Sequence, residues 1–107
     1  MGMDLKPVRP SKKAPRHPAD ASYGANEVIW GRYNWSGWRY ICDKLEEWGV
    51  DISEFSGCND GEKISAATCK KVADAIEAHL SGLDEQHRNW LQPHIDRWRY
   101  CGGYRQF

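Results

Sequence analysis

No run of this 107-residue sequence stays apolar for the roughly 18 residues that a bilayer span requires, and no apolar signal core follows its charged N-terminus. The expectation is a cytoplasmic protein with no membrane contact. Cysteine is sparse and scattered: Cys42, Cys58, Cys69 and Cys101 contain no C-x-x-C pair, which argues against a zinc or thioredoxin-type site. In a reducing compartment such thiols act as small apolar residues. No glycine-rich phosphate loop follows a strand, and no Ser or Cys sits in a nucleophile elbow, so a catalytic reading has little to stand on. His79, His87 and His94 are spaced at eight and seven, but Pro93 upsets the helical register that would pair His87 with His94, and no third ligand joins that pair for zinc. The N-D-G turn at Asn59 to Gly61 falls short of a calcium loop. Its glycine arrives one residue early, and Thr68 stands where the closing glutamate belongs. The carboxylates Asp51, Glu54, Asp60 and Glu62 have nothing in the sequence that sets them at a catalytic separation. No metal and no cofactor are expected.

Net charge is also missing, because 15 Lys and Arg balance 15 Asp and Glu. The balance is uneven along the chain. Residues 1–20 carry Lys6, Arg9, Lys12, Lys13 and Arg16 against Asp4 and Asp20. Residues 43–85 hold eleven acids against four lysines, and residues 86–107 have four arginines against Asp96. An acidic middle argues against duplex nucleic acid, which needs a broad basic face. It leaves room for a small anion held by a few arginines, or for a basic protein partner that docks on residues 43–85 and whose association would be salt-sensitive.

Aromatics are what the sequence has in quantity. Six Trp, five Tyr and two Phe stand in one short chain, and each Trp buries on the order of 200 Å². Such side chains help a small domain whose core is otherwise thin. The densest stretch runs from Val28 to Tyr40, V-I-W-G-R-Y-N-W-S-G-W-R-Y, with Arg32 and Arg39 between the rings.

Residues 1–22, with Pro7, Pro10, Pro15 and Pro18, read as a disordered cationic arm. Residues 23–107 read as a single small helical domain, mainly α, with long structured loops. Asn34 caps a first helix over 35–48, in which Trp35, Trp38, Ile41, Cys42, Leu45 and Trp48 share a face. Ser65 caps a second over 65–80. Asp84 caps a third over 84–100, in which Pro93 is expected to kink or divide the helix. Val28 to Trp30 reads as a short extended segment, and the tail Y-R-Q-F as folding back onto the domain.

The phrases N-W-S-G-W-R-Y, F-S-G-C-N-D-G-E-K-I-S and W-R-Y-C-G-G-Y-R-Q-F resemble a group of small uncharacterised proteins of bacteria and their phages, over roughly residues 30–107. The resemblance implies a natural self-contained domain and assigns no activity. For a phage-like protein it is compatible with sequestering a host immune nucleotide.

The candidate site joins the two ends of the domain: Arg32, Tyr33, Trp35, Trp38, Arg39 and Tyr40 from the first, Arg99, Tyr104 and Arg105 from the second. If the first and third helices are neighbours, Arg39 and Arg99 converge beside tyrosines. A ring then stacks on the aromatics while phosphates take bidentate arginine bonds. The amides of Ser36, Gly37 and Trp38 add a helix N-terminus. The bland alternative is that the tryptophans are core and the arginines pair with the acids of the middle. Aromatics left outside such a small core favour an interface, so a homodimer is expected, in which residues 1–33 contact the helices of a second copy.

Overall fold

The computed structural model describes residues 2–55 and 61–107. Its three helices lie where capped, periodic sequence places them: α1 Trp35–Glu47, α2 Ala66–His79 and α3 Glu85–Tyr100. The Asn34 Oδ1 accepts a hydrogen bond from the Gly37 amide at 2.7 Å and starts α1. The Ser65 Oγ accepts from the Thr68 amide at 3.2 Å and starts α2. The Asp84 carboxylate makes no such bond and instead contacts the His87 ring. Pro93 leaves α3 undivided, because its missing amide lies on the exposed side of the helix, away from the packed stripe of Leu91, His94, Ile95 and Trp98.

The fold class departs from the mainly helical expectation. Four strands, β1 Gly2–Pro7, β2 Gly31–Asn34, β3 Lys63–Ile64 and β4 Tyr104–Gln106, form one antiparallel sheet in the order β2-β1-β4-β3. The protein is therefore an α+β domain. The larger correction concerns the N-terminus, which was expected to be disordered. Met3 and Leu5 are fully buried while Asp4 and Lys6 turn the other way, so residues 2–6 carry the period of two that defines a half-buried strand. Prolines from Pro7 onward mask that pattern in any composition-based reading. Residues 2–7 and 31–33, assigned from sequence to a second copy, are strands of the chain's own sheet.

All three helices lie on one side of this sheet. The inward set Met3, Leu5, Tyr33, Ile64 and Tyr104 joins Ile41 and Leu45 of α1, Val72 and Ile76 of α2 and Trp98 of α3 in a single core. Between the first two strands the chain passes over the C-terminal end of α3 and the turn that follows it. Val8 donates to the Gly103 carbonyl, Arg9 to that of Cys101 and Ser11 to that of Tyr100. Gly102 permits this path, since it has φ +68° and a Cβ there would lie 1.9 Å from the Arg9 carbonyl oxygen. Among the described residues no helix is long and apolar enough to cross a membrane.

Because β1 is the only link between β2 and β4, removal of residues 1–7 is expected to abolish cooperative unfolding, as followed by circular dichroism in urea. Leu5→Ala should lower stability by about 2–5 kcal/mol, whereas Lys6→Ala, on the outer face, should stay within about 0.5 kcal/mol of the parent.

Candidate functional site

The end of β2 and the first turn of α1 meet the first turns of α3, and the chemistry of the domain is concentrated at that junction. Tyr33 is the last buried residue of β2. Its phenol oxygen accepts a hydrogen bond from the Trp98 indole at 2.9 Å. Its ring stacks on His94 at 4.7 Å and stands edge-on to Trp90 at 5.8 Å. Burial, only partly offset by the Trp98 bond, holds the phenol well above its ordinary range, so Tyr33 is a fixed neutral wall.

Outside this wall lies a cleft of about 600 Å³ lined by Arg32, Tyr33, Asn34, Ser36, Gly37, Tyr40, Gln86, His87 and Trp90. Tyr40 and His87 stack almost parallel, 4.2 Å apart with 9° between their planes. Lys44 covers the Tyr40 ring at 5.7 Å and is tied to Glu47 at 3.2 Å. Gly37 has a packing reason. A Cβ there would sit 3.0 Å from the Trp90 ring and 3.0 Å from the Asn34 Oδ1, so glycine lets the indole lie against the start of α1. The first turn of α1 carries no acid. The helix start and the exposed Arg32 bring positive charge to one side of the cleft, and the Asp84 carboxylate in contact with His87 brings negative charge to the other.

Of the nine residues singled out from sequence, Arg32, Tyr33 and Tyr40 converge on this cleft and six do not. Trp38 is core, stacked on Phe55 at 5.1 Å, and Trp35 packs partly buried against the same core. Arg39 is exposed on α1 and lines no part of the cleft. Arg99 does not meet it: its guanidinium binds Glu77 at 3.0 Å and Asp74 at 3.1 Å, clamping α3 to α2. Tyr104 is fully buried, edge-on to Trp98 at 4.9 Å. Arg105 lies on the far face of the sheet and donates to the Gly61 carbonyl at 3.0 Å. The pairing of arginines with the acids of the middle segment thus holds for Arg99 and not for Arg32.

Gln86, His87 and Trp90 belong to the cleft, and no local pattern in the sequence marks them as part of it. Trp90 follows the apolar spacing of α3 and therefore passes for core. A second, smaller cleft of about 300 Å³ lies on the other side of Arg32, beside Trp30, His17, Glu27 and Arg97. The Arg97 Nε is buried there without a partner among the described residues.

The remaining candidate groups are structural. The Glu54 carboxylate accepts from the Ser65 amide and hydroxyl, both at 2.9 Å, and from the Thr68 hydroxyl. These bonds, the Thr68 one foremost, hold its pKa low and make it an additional cap of α2. Asp51 accepts from the Ser53 amide at 2.9 Å. Cys69 and Cys101 are buried neighbours, and the Cys42 thiol is pushed up to about 12 by burial, then by Asp43 and Glu46. Cys58 and the Asn59-Asp60 part of the turn lie outside the described residues. Among the described residues no three His, Cys, Asp or Glu side chains gather to hold a metal.

His94 gives this region its pH dependence. Burial first, then the charge of Arg97, lowers its pKa from 6.5 to about 4, so the imidazole beneath Tyr33 stays neutral. Between those two values the unfolded chain binds a proton that the folded one does not. Stability present above about pH 6.5 is therefore lost as pH falls towards about 4. Urea titrations across that range should show a decline of up to about 3 kcal/mol, and His94→Phe should flatten it. Acid loss that survives unchanged in His94→Phe would assign the effect to carboxylates instead.

No protein-family model, no curated protein and no solved structure matches this chain, so its function is argued from its own geometry.

Proposed function

We propose that this chain is a non-enzymatic binding protein whose ligand is a small anion carrying a flat ring, a nucleotide by class, held in the cleft between β2, α1 and α3. The observation that carries the reading is a single concavity that combines an arginine, helix-start amides and a wall of rings. Arg32 forms no ion pair among the described residues, in contrast to Arg99. Its fork suits a phosphate, and the first-turn amides of α1 not taken by Asn34 point the same way. His87 and Trp90 present the aromatic surface on which a base would lie, with Tyr40 stacked behind His87. The volume of about 600 Å³ falls within the range of small-ligand sites. The groups present bind and orient. No nucleophile paired with a base stands among them, which favours binding over turnover.

Calorimetry and thermal-shift measurements over mono-, cyclic and dinucleotides test this directly. At least one should raise the melting temperature. Arg32→Ala should weaken its binding about tenfold or more, as befits a lost charge-assisted bond, and Tyr40→Ala should weaken it by removing the ring that holds His87 in place. Arg39→Ala, outside the cleft, should bind as the parent does. If no nucleotide produces heat or a shift, the proposal fails.

A further inference from the structure

The face of the sheet turned away from the helices carries a second charge pattern, and it is invisible in the linear sequence. Antiparallel register pairs outward residues with outward residues. Lys6 stands opposite Arg105, and Arg105 stands opposite Lys63, so three cations from three strands form one row. Neighbouring Cα atoms in such a row are about 5 Å apart. Arg32 stands in the next row, opposite Asp4, which is the only acid in any of the four strands. None of the four cations forms an ion pair among the described residues.

Like charges directly across a sheet repel and lower stability. The existing relief is partial. Arg105 turns one nitrogen to the Gly61 carbonyl, and Lys6 and Arg32 bracket the Trp30 ring at 5.9 and 5.8 Å. Phe107 continues β4 on the same face. Its amide and carbonyl exchange bonds of 2.8 and 2.9 Å with Asp4, and its ring is 41% exposed beside Gly61. A chain of zero net charge thus gathers four cations and two partly open aromatic rings on one sheet face.

We infer that this outer sheet face binds single-stranded nucleic acid. Phosphates lie along the row Lys6, Arg105 and Lys63, and splayed bases stack on Trp30 and Phe107. Charge complementarity selects a polyanion. The two rings select one whose bases are free to stack, because paired bases in a duplex are already stacked on one another. Four strands at about 4.8 Å spacing span only about 14 Å, enough for on the order of four nucleotides. This face does not depend on the cleft, and the two share only Arg32.

Fluorescence anisotropy with labelled 12-mers of deoxythymidine and of uridine, read on the full chain at several salt concentrations, is the test. Single strands should bind. Lys6→Ala and Lys63→Ala should each reduce the slope of log affinity against log salt by about 0.7. Phe107→Ala should weaken binding about tenfold. All three side chains lie on the outer face, so melting curves should confirm that the variants stay folded. Tyr40→Ala should leave oligonucleotide affinity unchanged, while Lys63→Ala and Phe107→Ala should leave mononucleotide affinity unchanged, which separates failure of this site from failure of the cleft. Three results would each overturn the inference: a dissociation constant weaker than about 100 µM at about 50 mM salt, a 12-base-pair duplex bound as tightly as the single strands, or polyglutamate competing as well as an oligonucleotide.

Discussion

The insertion of the N-terminal strand between the second and fourth is the constraint on which the rest of this domain depends. A strand pair alone is marginal in water, and stability comes from three or more strands that share an apolar face. Among the described residues β2 and β4 touch only through β1, and β3 has no neighbouring strand except β4. Met3 and Leu5 supply the inward face of that strand, and both are completely buried beneath the helices. The chain thus closes on itself. Its first strand lies beside its last, and residues 8–11 pair with the end of α3 and the turn after it before the chain reaches β2.

Closure of that kind gives the aromatics distinct jobs. Tyr33, at the end of the edge strand, reaches inward to the Trp98 indole, and in doing so ties the sheet to α3 across 65 residues of sequence. A buried bond between two groups that would each be costly to leave unpaired fixes the depth at which β2 meets the helices. Trp90 and Tyr40 then stand just outside the fully buried layer, where they wall a cleft instead of filling the core. Trp30 lies on the opposite face of the sheet between two cations. One type of side chain therefore serves as core, cleft wall and surface ring, and the place of each ring in the tertiary structure distinguishes the roles.

Two-faced strands are also the reason that the charge of this protein misleads when read along the chain. By segment, the middle is acidic. By surface, Lys63 from that acidic middle joins Lys6 and Arg105 from the two ends in one basic row. Arg99 shows the reverse. It belongs to a basic segment, yet its charge is consumed by Asp74 and Glu77 on the helix beside it.

The sequence by itself determined the helices. Asn34 and Ser65 carry a capping oxygen, the apolar residues recur at three and four, and glycine closes α1, because caps and helical periodicity are local properties spelled out over consecutive residues. It also marked Arg32, Tyr33 and Tyr40, which lie within nine residues of one another around a helix start. Only the tertiary structure decided the sheet, for its strands are two to six residues long and a two-residue strand such as Lys63–Ile64 has no period to read. Pairing over a hundred residues, as between Leu5 and Gln106, is a non-local choice set by which inward faces fill the core together. The same choice brought His87 and Trp90 to Arg32, left Arg39 in solvent and buried Tyr104. The angle at which one helix crosses another, unlike the start of a helix, is written in no single stretch of the chain.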